Sequence, residues 1–139
     1  MVAADSGKYI RSKVTAANGW TPNGVAYSDT TDEILQSPVN DAIPTITSGL
    51  PAEVGQQLSG IPGDWTSNPA PPSFDYQWQV CDPTCVDIPG ETSNTFTPTT
   101  SETGKTLRLK ITATNGVTPD PVGSNVAYSA ETDPVIEDP

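Results

Sequence analysis

Between Phe74 and Cys85 the chain reads Phe-Asp-Tyr-Gln-Trp-Gln-Val-Cys-Asp-Pro-Thr-Cys, and this stretch restricts the possible folds more than any other. Phe74, Tyr76, Trp78 and Val80 alternate with Asp75, Gln77 and Gln79. A period of two puts the large apolar groups on one face and the polar groups on the other, which predicts a half-buried β-strand. Asp82-Pro83-Thr84 then has the composition of a turn. A second alternating run lies at 105–114, with Leu107, Leu109, Ile111 and Ala113 on one face and Thr106, Arg108, Lys110, Thr112 and Thr114 on the other. Two such strands bury their apolar faces only if a second sheet covers them. No window sustains an apolar repeat at helical spacing, and 15 Pro and 11 Gly in 139 residues favour strands joined by turns. The expected fold is therefore all-β.

The chain repeats itself. Residues 7–22, Gly-Lys-Tyr-Ile-Arg-Ser-Lys-Val-Thr-Ala-Ala-Asn-Gly-Trp-Thr-Pro, match residues 104–119, Gly-Lys-Thr-Leu-Arg-Leu-Lys-Ile-Thr-Ala-Thr-Asn-Gly-Val-Thr-Pro. The match resumes with Val25-Ala26-Tyr27-Ser28 against Val126-Ala127-Tyr128-Ser129, and with Thr31-Asp32 against Thr132-Asp133, the second copy having four more residues in the intervening turn. Order of this kind marks tandem repeats. The expectation is the end of one repeat over 1–36, a whole repeat over 37–139, and a joint at 37–41. Within the whole repeat, strands are expected at 43–48 with Ile46 inward, at 55–61 with Leu58 inward, at 73–80, near 86–88, at 94–97 with Phe96 inward, at 105–114 and at 125–132. Residues 62–65 read as a turn that lays Trp65 over one end of the core, and 67–72 as a stiff, proline-rich loop.

Gly55-Gln56-Gln57-Leu58, Pro62-Gly63-Asp64-Trp65, Tyr76-Gln77-Trp78-Gln79-Val80-Cys81-Asp82, Cys85, Ile88-Pro89-Gly90-Glu91-Thr92-Ser93 and Gly104-Lys105-Thr106-Leu107-Arg108, taken together, resemble the immunoglobulin-like repeats of bacterial secreted and cell-surface proteins. Such repeats are common in actinobacteria, and similar modules occur in phage virion proteins. The resemblance spans residues 43–133 and, in part, 5–34. It implies an immunoglobulin-like β-sandwich used as a spacer, stalk or docking surface, on a cell surface, in the extracellular space or on a virion. The chain departs from antibody domains in lacking the cysteines that cross-link their two core strands.

Cys81 and Cys85 are the only cysteines, and the chain has no His, so a zinc site of four Cys or His side chains cannot form. The pair is either a disulfide pinning the turn or two reduced thiols, and the extracellular resemblance favours the disulfide. A net charge of −11 argues against a nucleic-acid partner. No run of eighteen apolar residues is present to insert into a membrane. All six cations, Lys8, Arg11, Lys13, Lys105, Arg108 and Lys110, lie in the two matching strands. By parity Arg11, Lys13, Arg108 and Lys110 share the outward face. Either they form a basic stripe that receives an acidic edge of a neighbouring copy, or they pair across strands with Asp75, Gln77 and Gln79.

Asp29, Asp32, Glu33 and Asp41, and Glu131, Asp133, Glu137 and Asp138, can supply oxygens to calcium, but their spacing lacks the alternating acidic loop that would collect six or more of them. Trp20, Trp65 and Tyr27 can stack on sugar rings, although turn and core duties explain them equally. No nucleophile–base pair is present, so no enzymatic activity, cofactor or metal is expected. The expected role is a structural repeat whose partners are other copies or neighbouring repeats, with two alternatives: a virion decoration or tail module, and an adhesion module for surface glycans or a host. Residues 1–36 match only the last two strands of the repeat. A lone two-stranded hairpin is marginal in water, so either preceding sequence or another subunit is expected to cover it.

Overall fold

The computed structural model describes residues 3–137. The chain divides into two units, Met1–Gln36 and Ser37–Pro139. No α-helix occurs among the described residues, and the strands form several antiparallel sheets.

In the first unit a single 3-10 turn (Ala3–Asp5) precedes a hairpin of β1 (Lys13–Ala16) and β2 (Gly24–Tyr27). Val14 lies opposite Ala26, and Lys13 opposite Tyr27. Pairing continues beyond these strands in an unusual register. The amides of Ser28, Thr31 and Ile34 donate to the carbonyls of Ser12, Ile10 and Lys8, so one side advances three residues for every two on the other. Ser28 and Thr31 also fill the gap that an extra residue leaves in a ladder. Their hydroxyls accept the Ser12 and Ile10 amides at 2.9 and 3.1 Å and donate onward to the carbonyls of Asp29 and Asp32, both at 2.8 Å. One side chain thus supplies the acceptor that the neighbouring backbone would otherwise have provided.

The second unit contains β3 (Gln36–Ala42), β4 (Thr45–Ser48), β5 (Leu58–Ile61), β6 (Asp64–Asn68), β7 (Ser73–Cys81), β8 (Cys85–Asp87), β9 (Thr95–Phe96), β10 (Thr106–Thr114) and β11 (Val126–Tyr128). One sheet runs β11-β10-β7-β8, another β4-β5-β9, and β3 pairs with β6. Leu58 and Phe96 from the second sheet meet Trp78, Leu107, Leu109 and Ile111 from the first in one buried cluster, an arrangement consistent with a β-sandwich. Trp78 is fully buried, stacks on Phe96 at 5.7 Å between ring centroids, and satisfies its indole N–H on the Ser93 carbonyl. Burial of one large aromatic whose single polar atom is hydrogen-bonded is the favourable way to fill such a core. Trp65 packs against the cluster, tilted on Phe74 and with its indole N–H on the Pro62 carbonyl.

Several sequence expectations need correction. The presumed joint at 37–41 is strand β3, and the presumed turn at 62–65 gives way at Asp64 to strand β6; Thr66 ties the two by donating its hydroxyl to Asp41 at 2.6 Å. Pro62 and Gly63 do bend the chain, but between two strands. Gly63 has φ of +79°, and a Cβ there would strike the Ala42 carbonyl oxygen, so the bend requires glycine. The expected loop at 67–72 begins only after Asn68. The strand expected at 125–132 is regular only over Val126–Tyr128. Beyond it the three-for-two ladder recurs: Ser129, Thr132 and Val135 donate to Leu109, Leu107 and Lys105 at 2.8 Å each. The Ser129 and Thr132 hydroxyls accept the Leu109 and Leu107 amides at 2.8 and 3.0 Å. Gln79, on the outward face, is nonetheless only 6% exposed, with its amide bonded to Arg108 and Asp87.

Candidate interaction surface

The outward face of β10 carries Arg108 and Lys110. They lie opposite Gln79 and Gln77 of β7, while Asp75 faces Thr112. The register thus sets Asp75 opposite a threonine rather than a cation, while the expected hydrogen bonding to Gln79 is present. The guanidinium of Arg108 donates through Nε to Gln79 Oε1 at 2.7 Å, and the Gln79 amide donates to the Asp87 carboxylate at 2.7 Å. The same guanidinium lies over the Tyr128 ring, 4.1 Å from its centroid. A cation on an exposed aromatic face contributes about 0.5–1 kcal/mol, and here it also fixes the direction of the side chain. Lys110 is the direct cross-strand neighbour of Tyr128.

The first unit repeats this clasp. Arg11 lies 4.0 Å from the Tyr27 centroid, Lys13 Nζ lies 6.0 Å from it, and Lys13 is the cross-strand neighbour of Tyr27. Tyr27, considered as a sugar-stacking ring, is thus covered by Arg11 on one face. The aromatic partners of these cations were visible in the sequence only as matched positions in the repeat. Parity gives the face of a residue but not the diagonal reach of an arginine.

Cys81 and Cys85 are paired in register where β7 turns into β8, and they form a disulfide. Among the described residues, the one grouping of three or more Cys and carboxylate side chains close enough to share a metal is this pair with Glu131. Its sulfurs are already bonded to each other, so it does not supply three ligands. Glu131 accepts the Thr106 hydroxyl, and Asp41 accepts that of Thr66. Of the remaining calcium candidates, Asp29, Asp32, Glu33, Asp133 and Glu137 enter no such cluster, and Asp138 lies outside the described residues.

An open, mostly apolar groove of about 190 Å³ runs between Ile43–Ile46 with Leu50 and Ser129–Thr132. It is smaller than the roughly 300–1,000 Å³ of small-molecule sites. The hydroxyls of Ser129 and Thr132 along it are engaged in the ladder. Trp20 is 79% exposed on the β1–β2 loop. No described helix is long and apolar enough to cross a membrane. Comparison with protein-family models, with curated proteins and with solved structures returns no match to this chain.

Proposed function

We propose that this chain is a non-enzymatic structural element: tandem immunoglobulin-like β-sandwich repeats of an extracellular surface or filament protein, serving to space and assemble. The observation that carries this reading is the duplication of a whole construction. The 3-10 turn, the antiparallel hairpin, the three-for-two ladder with its Ser and Thr hydroxyls, and the arginine–tyrosine clasp all occur twice, at matched positions. Copies kept alike to this depth suit modules stacked in series, where each has the same mechanical task. The immunoglobulin-like assignment is supported by the sheet orders β11-β10-β7-β8 and β4-β5-β9, and by a buried tryptophan on the central strand. A disulfide in a tight turn is compatible with an oxidising, extracellular setting.

Small-angle scattering on chains carrying one, two and three copies of residues 37–139 tests the spacer role. The maximum dimension should grow in equal steps; a dimension that stays near that of one module would reject it. The exposed Trp20 favours a second reading, glycan adhesion. Retention of the full chain on a glycan array, lost in Trp20→Ala, would establish adhesion in place of spacing.

A further inference from the structure

In the second unit, the face of β10–β11 that carries Leu107, Leu109, Ile111 and Ala127 is covered, and the four residues are between 0 and 7% exposed. The cover comes from the strands that precede it in the chain, through Leu58, Trp78 and Phe96. The first unit has the same hairpin with the same register. Ile10 occupies the position of Leu107 and is 38% exposed; Val14 occupies that of Ile111 and is 62% exposed. A backbone this closely matched presents the same face with no cover from its own unit.

Charge points to what fits there. Residues 37–97 carry seven carboxylates and no cation, whereas β1 and its approach carry Lys8, Arg11 and Lys13. In the second unit the equivalent cation Arg108 donates to Gln79 of that acidic segment, Gln79 in turn donates to Asp87, and Asn115 donates to the Pro69 carbonyl in it at 3.1 Å. Arg11 and Asn18 hold the matching positions in the first unit. A second folded copy is the wrong shape for this role, because its own β10–β11 already fills the face formed by Leu58, Trp78 and Phe96. The chain also shows how such pieces are joined in series: Ile34 ends one hairpin ladder, and β3 of the next unit begins at Gln36.

We infer that the uncovered face of the 7–34 hairpin is the docking surface for an acidic half-sandwich equivalent to residues 37–97, carried in tandem ahead of it on the same polypeptide. This deepens the repeat reading proposed above and rests on it. Gly7 matches Gly104, so Met1 falls at the position of Pro98, and this alignment dictates the junction for a test. A second copy of residues 37–97 is fused directly ahead of Met1 of the full chain, and hydrogen exchange is followed residue by residue. The amides of Ile10, Ser12 and Val14 should slow by at least about a hundred-fold relative to the unextended chain, to the range of Leu107, Leu109 and Ile111. Val14→Asp in the extended chain should abolish that gain while leaving the second unit protected. Two outcomes overturn the inference. In one, the hairpin amides exchange as fast in the extended chain as without the extension while Leu107 and Leu109 stay protected. In the other, the unextended chain gains the same protection as its concentration is raised, which would make a second copy the occupant. Glycan capture by the full chain would defeat the spacer role without altering these exchange rates, so the two failures are distinguishable.

Discussion

Trp78 shows how far a single residue can be read from sequence. Its alternation with Gln77 and Gln79 predicted a buried strand face, and the indole is fully buried against Phe96. Trp78→Ala should lower unfolding free energy by about 3–5 kcal/mol, measured by denaturant titration. Gln79 was less legible. Parity put it on the outer face, but Arg108 and Asp87 engage its amide there and leave it 6% exposed. Thr132 was not legible at all. In sequence it is an ordinary strand threonine; in the fold its hydroxyl is the acceptor for the buried Leu107 amide. Thr132→Val conserves shape yet strands that donor, so it should cost about 1–3 kcal/mol. Thr132→Ser keeps the acceptor and should retain most of the stability. Equal losses from both substitutions would show that the methyl group, not the hydroxyl, is what matters.

At the scale of elements, the core strands β7 and β10 were legible because their apolar residues fit the period of two, and β5 and β9 through one inward residue each, Leu58 and Phe96. Strands β3 and β6 were not. Pro38, Asn40 and Asp41 have the composition of a joint, and Pro62-Gly63-Asp64 that of a turn. What makes them strands is their mutual pairing and the Thr66–Asp41 hydrogen bond, which no local pattern announces. The bend between β5 and β6 depends on Gly63. Gly63→Ala should destabilise the second unit by more than the ~1 kcal/mol of an ordinary glycine replacement, because left-handed backbone and a blocked Cβ act together. Thermal unfolding of the variant checks this. The β7–β8 turn offers a second test. Intact mass should rise by two hydrogens on reduction, reporting the Cys81–Cys85 bond. Because the closed loop is so short, Cys81→Ser with Cys85→Ser should cost no more than about 2 kcal/mol.

For the whole molecule, the decisive fact is that two units of unequal size share one construction. The second has a buried cluster drawn from two sheets, so residues 37–139 should unfold cooperatively at the midpoint of the full chain, as followed by circular dichroism. Residues 1–36 alone should give no cooperative transition, since a two-stranded hairpin is marginal by itself. A sharp transition in that peptide would show that the hairpin needs no cover. The three-for-two ladder has one more consequence, and it concerns crowding rather than folding. Repeats joined by short linkers meet one another at about millimolar local concentration, where the unpaired rim of a terminal strand invites mispairing and amyloid growth. Here that rim advances in threes. The carbonyls of Ala130 and Asp133 are capped by the hydroxyls of Ser129 and Thr132, and Pro134 offers no N–H. A regular strand from an adjacent repeat, advancing in twos, falls out of step after one bond. In the tandem array proposed above, the ladder that completes each module would thus also hinder one module from zipping into the next.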